Sequence, residues 1–166
     1  HKFKHDKNFL EWFIGFFEAK GLFIYCLDNT KQRFMVTIDQ KDPSLMYTIR
    51  NTLGFGLVDF YIINNEKHYI YQICNFINLQ RIILLLNGNL QTEKKNIQFQ
   101  KWVCLVNIYY TTQYFVLTKK TNIGFQNAWT SGFFEVKANF WINSKNIFFQ
   151  NQKGTFYYNV KIKFYI

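Results

Sequence analysis

The side chains with chemistry to offer come in matched pairs, because one short segment of the chain occurs twice. Residues 9–20, FLEWFIGFFEAK, return as residues 126–137, QNAWTSGFFEVK, at an offset of 117. Aligned on Gly15 and Gly132, the copies share Trp12/Trp129, Phe16/Phe133, Phe17/Phe134, Glu18/Glu135 and Lys20/Lys137. Such an echo signals internal duplication with two-fold pseudo-symmetry. Each copy carries one carboxylate and one ammonium. Lys20 and Lys137 can contact phosphate, or they can run an apolar stem out to solvent; both readings stay open. Glu18 and Glu135 stand two positions earlier, about 200° round a helix, so they point elsewhere and read as structural or ion-pairing groups. Cys26, Cys74 and Cys104 are far apart and form no CxxC or Cys/His pattern, which argues against zinc and against a disulfide framework. The expectation is a chain with no metal and no cofactor.

The elements that must position these residues follow from periodicity. Apolar residues at Phe9, Leu10, Trp12, Phe13, Phe16 and Phe17 predict a helix over 8–20, buried on most sides and stopped by Gly21. Residues 22–27 and 33–40 read as a hairpin turning near 28–31. Asp42 as N-cap and Pro43 at the first helical position predict a helix from 43 to about 53, ended by Gly54 and Gly56. A second hairpin, 57–63 and 67–73, turns at Asn64-Asn65. A third helix follows at 75–86. The polar stretch 87–96 reads as the start of a linker, followed by a segment around Trp102 that is helical or extended. After the echo, 139–149 and 154–166 are rich in Phe, Tyr and Ile and strand-like. The expected division is a first repeat at 1–90, a linker at 91–125 and a partial second repeat at 126–166.

The chain has 166 residues and a formal charge of +10. That suits one or two small domains able to bury a core, and a polyanionic partner rather than an acidic one. Phe, Ile, Asn, Lys and Tyr make up about half of it, while Ala, Gly, Pro and Arg are scarce. The first set is encoded largely by A/T-rich codons, which points to an organelle, with mitochondrion as the expected location. The longest apolar run, Ile82 to Leu86, is too short to cross a bilayer, and no signal peptide is expected.

The repeated segment resembles the motif of the LAGLIDADG homing endonucleases and maturases. Phe13-Ile14-Gly15-Phe16-Phe17-Glu18-Ala19-Lys20-Gly21 stands where the first nine-residue motif stands, and Thr130-Ser131-Gly132-Phe133-Phe134-Glu135-Val136-Lys137-Ala138 where the second does. Gln40-Lys41-Asp42, Leu86-Asn87-Gly88-Asn89-Leu90 and Asn127-Ala128-Trp129 also look like the family. The resemblance implies an α+β fold, an αββαββα repeat with an incomplete second repeat. It implies that the motif helices pair through Gly15, Ala19, Gly132 and Val136, small residues that let backbones approach.

It also shows what is missing. The eighth motif position in active members is Asp or Glu, and the pair holds divalent metal against the scissile phosphates. Here both are lysine, which donates hydrogen bonds but offers no oxygen ligand. The resemblance further implies a strand saddle for nucleic acid, with Leu22, Ile24, Cys26, Arg33, Met35, Thr37, Ile70, Gln72 and Cys74 on the groove side. That set is mostly apolar, poor for reading bases and better for packing on another macromolecule. The candidate nucleic-acid contacts are Lys20, Lys31, Arg33, Thr37, Gln72, Lys94, Lys95 and Lys137. The reading is a catalytically inactive, RNA-binding relative serving as a structural part of an organellar ribonucleoprotein, most concretely the mitochondrial ribosome. Its expected partners are ribosomal or intron RNA, neighbouring proteins and a chain able to complete the second repeat, with no membrane. A group I intron maturase or a DNA endonuclease with an altered site are the alternatives.

Overall fold

The computed structural model describes residues 6–28, 31–117, 127–137, 139–142 and 160–163. The first motif lies on α1 (Lys7–Lys20), followed by β1 (Leu22–Asp28), β2 (Lys31–Gln40), α2 (Pro43–Leu53), β3 (Leu57–Ile63), β4 (Glu66–Ile73) and α3 (Phe76–Leu86). Then come α4 (Glu93–Tyr110), α5 (Ala128–Lys137), β5 (Asn139–Ile142) and β6 (Val160–Lys163). Asp42 caps α2 as the sequence predicts, and Asn75 caps α3. Asp42 accepts from Ser44 N at 2.8 Å ahead of Pro43, and Asn75 accepts from Ile77 N at 2.9 Å. Gly54, with φ +75°, closes α2 in the left-handed region. Asn64 and Asn65 both have positive φ, the requirement of a two-residue turn matched to the strand twist.

The four strands form an antiparallel sheet in the order β1-β2-β4-β3. Because side chains alternate, the register assigns two faces. Phe34, Val36, Ile38, Tyr71 and Ile73 are buried beneath the helices, with Phe13, Phe16, Phe17, Met46, Ile49, Leu79, Ile82 and Leu86 opposite them in the core. The other face is open. β5 and β6 pair as a separate two-stranded sheet. They fall within the expected 139–149 and 154–166 strands, whose remaining parts lie outside the described residues.

The 91–125 linker is corrected. Its first part is the 18-residue helix α4, and this helix completes the core of the first repeat. Phe99, Trp102, Val103 and Val106 are buried, and the rings of Phe99 and Trp102 lie 5.5 and 5.3 Å from that of Phe23. Trp102 Nε1 donates to Ile24 O at 2.9 Å, satisfying a carbonyl on an edge strand. Beyond α4, Asn107 Nδ2 donates to Tyr114 O and Asn87 Nδ2 to Phe115 O, so residues 112–117 are pinned back onto α3 and α4. Removing the Phe99 ring tests this assignment. Phe99→Ala should lower the unfolding free energy by about 3 kcal/mol or more, as for a large ring deleted from a core. The urea midpoint, followed by circular dichroism, reads the loss, and a near-neutral result would restore the linker.

Candidate nucleic-acid interface

The paired motif helices meet backbone to backbone. A Cβ added at Gly15 would stand 2.0 Å from Trp129 O, and one added at Gly132 would stand 2.0 Å from Trp12 O. Each glycine therefore receives the tryptophan carbonyl of the other copy. The tryptophan rings exchange in the same sense. Trp12 Nε1 donates to Glu135 Oε2 at 2.8 Å. In the mirrored contact, Trp129 Nε1 and Glu18 Oε2 are both buried without a well-formed hydrogen bond, yet the indole still favours the charged form of Glu18. Trp12 stacks on Phe16 and Trp129 on Phe133, with centroids 5.0 and 4.8 Å apart. Gly15 and Gly132 are thus points of close backbone approach between α1 and α5. Ala19 is half-buried, and the side chain of Val136 lies outside the described residues.

Glu18 is the hub behind this seam. Its Oε1 accepts from the backbone N–H groups of Gln91 and Thr92, the latter at 3.1 Å, at the start of α4. Thr92, the N-cap of α4, makes no capping bond with its own side chain. Burial pushes the Glu18 carboxyl up to about 7, against the two backbone N–H groups, Trp129 and Lys95, which all favour the charged form. Lys95 donates to Gly21 O at 2.6 Å, bonding the residue that ends α1. Glu18 and Glu135 thus hold the two motif helices and the start of α4 through hydrogen bonds.

Lys20 is exposed in the last turn of α1, and Lys137 is the last residue of α5, its side chain outside the described residues. A hard divalent cation needs oxygen ligands, and neither position supplies one. The residues present do not fit the metal pair that the motif implies.

On the open face of the sheet, cross-strand partners fall into rows. Leu22, Thr37, Gln72 and Leu57 form one, and Asp39, Ile70 and Asp59 the next. Arg33 and Lys94 are exposed, and Gln72 is half-buried. The Lys31 side chain lies outside the described residues. Two candidate contacts are corrected. Thr37 is 3% exposed, a short side chain central in its row, and Lys95 is 8% exposed and committed to Gly21 O. The apolar character also needs correction, because it holds only for the β1–β2 half. Towards the β3–β4 turn, Tyr61 donates to Asp39 Oδ2, and His68 Nδ1 lies 3.3 Å from Asp39 Oδ1. That bond to Asp39 raises the Tyr61 phenol above its ordinary value. Asp39, Asp59, Tyr61 and His68 were missed, although Asp39 shares the strand parity of Thr37 and His68 that of Gln72. Extending the alternation along both strands would have found them.

Comparison with known proteins agrees with this architecture. A sequence model of the LAGLIDADG endonuclease family matches residues 13–106. The chain is similar to a probable intron-encoded endonuclease of Neurospora crassa, 30% identical over 129 residues that cover 78% of this chain and 23% of the relative. It is similar to the intron-encoded RNA maturase bI4 of Saccharomyces cerevisiae, 28% identical over 145 residues that cover 84% of this chain and 21% of the relative. It spans less than a quarter of either relative. Among solved structures, the LAGLIDADG meganuclease I-AabMI bound to uncleaved DNA superposes with a TM-score of 0.60 at 18% identity, covering 79% of this chain and 58% of that one. At that identity the likeness concerns the fold alone.

Two outcomes follow from the seam. Gly→Ala inside a helix ordinarily stabilises by about 1 kcal/mol. Gly15→Ala should instead destabilise by about 2 kcal/mol or more, because the added carbon meets a backbone carbonyl rather than a movable side chain; thermal unfolding reads the sign. Glu18, raised in the folded state, contributes stability that is fully present below its ordinary value near 4.5 and is lost as pH rises through about 7. Glu18→Gln, which cannot ionise, should flatten the fall in urea midpoint between pH 5 and pH 8.

Proposed function

The chain belongs to the LAGLIDADG endonuclease family, and from that premise we propose that it binds RNA without cutting nucleic acid. The observation that carries this reading is the lysine at the eighth position of both motifs, Lys20 and Lys137, on a scaffold whose seam is otherwise intact. Hydrolysis by paired metal ions needs carboxylate oxygens at those positions. Two ammonium groups there repel a cation and attract phosphate.

The net charge of +10 supports a nucleic-acid partner of either kind, and the similarity to a protein named as an RNA maturase favours RNA. Lys20, Lys94, Lys137, Lys31 and Arg33 are the phosphate contacts in this reading. On the open face Gln72 offers hydrogen bonds to base edges, as does the His68 ring nitrogen not held by Asp39. Both relatives named above are intron-encoded, which favours intron RNA over ribosomal RNA. The composition supports a mitochondrial setting. Within it the chain would act as a structural part of a ribonucleoprotein, beside other proteins.

The purified chain should leave long duplex DNA and RNA uncut in Mg²⁺, and should bind RNA with a strong salt dependence. Lys20→Gln and Lys137→Gln should each weaken RNA binding and reduce the slope of log affinity against log salt by roughly 0.7–0.9, the loss of one phosphate contact. Metal-dependent nicking by the natural chain would overturn the proposal.

A further inference from the structure

The β3–β4 hairpin runs beyond the helices that cover the rest of the sheet, so even its helix-side face reaches solvent. Phe60 and Ile62 are 51% and 66% exposed there. Phe60 and Tyr69 are direct cross-strand partners with ring centroids 6.3 Å apart. The Lys67 ammonium sits 3.9 Å from the Phe60 centroid and 5.4 Å from that of Tyr69. Strand parity separates the charges. The carboxylates of β2, β3 and β4, namely Asp39, Asp59 and Glu66, belong to the open face, whereas Lys67 belongs to the helix side. Lys41 pairs with Glu66. On the open face, Tyr61 and His68 also stack, but both are bound to Asp39.

Extending the RNA-binding reading, on which this step rests, we infer that Phe60, Tyr69 and Lys67 form a second RNA contact, on the side of the sheet away from the saddle, that takes an unpaired nucleobase. Every base has a face that stacks on an aromatic ring, and every nucleotide brings a phosphate. The base takes the position now held by the ammonium over Phe60, and Lys67, on a flexible exposed stem, moves to the phosphate. Acidic or apolar protein partners fit less well, since the first has no use for the ring pair and the second none for the cation. A duplex, whose bases are already stacked, has nothing to place there, so the site selects RNA loops and single strands.

The test uses the full chain with a fluorescein-labelled oligouridine and, in parallel, a blunt RNA duplex, followed by fluorescence anisotropy. Phe60→Leu keeps an apolar side chain but removes the ring. It should weaken oligouridine binding roughly tenfold, in keeping with the loss of one stacked base, and change duplex binding less than twofold. Lys67→Gln should weaken oligouridine binding and reduce its salt slope by about 0.7. Both positions are exposed, and thermal unfolding checks that each variant folds as the parent does. Oligouridine affinity unchanged in both variants, or an equal loss for duplex, overturns the site. If the parent binds no RNA of either kind, the site and the broader function fall together. If Lys20→Gln weakens RNA binding while Phe60→Leu and Lys67→Gln do not, only the hairpin site falls.

Discussion

The structure depends on one contact made twice: a glycine of one motif helix against the tryptophan carbonyl of the other. No side-chain adjustment can relieve a carbon placed 2.0 Å from that oxygen. The separation of α1 and α5 is therefore set by main chain rather than by packing preference. Interhelical distances otherwise follow the size of the side chains between them. The Trp12–Glu135 bond crosses the seam and depends on that close approach, whereas Trp12 stacks on Phe16 and Trp129 on Phe133 within their own helices.

From the seam the constraint passes to the sheet. Glu18 lies on α1 beside the second copy and accepts from two backbone N–H groups ahead of α4. Lys95 reaches back from α4 to the carbonyl of Gly21. These bonds hold the C-terminal end of α1 between the second motif and the last helix of the first repeat. A buried carboxyl and a buried ammonium are costly unless each is hydrogen-bonded. Here main-chain groups satisfy the Lys95 ammonium and Glu18 Oε1, while Glu18 Oε2 stays buried beside Trp129, and the bonds fix the tip of α1 where Lys20 emerges. The first repeat is thus not closed until α4 has docked.

Much of this was legible in the residues, and what was not has identifiable causes. The echo around Gly15 and Gly132 announced the seam, because a pattern repeated at 117 residues cannot be read as an incidental glycine. Asp42-Pro43 and Gly54 marked α2 at both ends through local chemistry. α4 was hidden because its opening, Thr92 to Asn96, is polar and its cap comes from Glu18, 74 residues away. The burial of Lys95 was equally invisible, since lysine in a polar run ordinarily faces water. On the sheet, parity gave the right face, but exposure along a face depends on neighbours across the strands. Thr37 and Gln72 sit side by side, and the longer side chain stays half-exposed while the shorter is covered. The Asp39–Tyr61–His68 group needs three strands in register, which no single stretch of sequence displays.

The contacts that hold the seam and the residues that end it are different residues, and this separation matters for chemistry. Lys20 is exposed in the last turn of α1, after the glycine, tryptophan and glutamate positions have done their packing. A substitution at such a place ordinarily shifts stability by no more than about 0.5 kcal/mol. The end of a helix also carries partial negative charge, which favours a cation there by about 0.3–1 kcal/mol and disfavours a carboxylate by a similar amount. Carboxylates at two helix ends are tolerable when metal neutralises them, and without metal they oppose the helix dipoles. Lysine removes that conflict and leaves the seam untouched. The backbone geometry that would hold a cation between acids places lysines at the same helix ends, so the change of partner proposed above would need no change of fold.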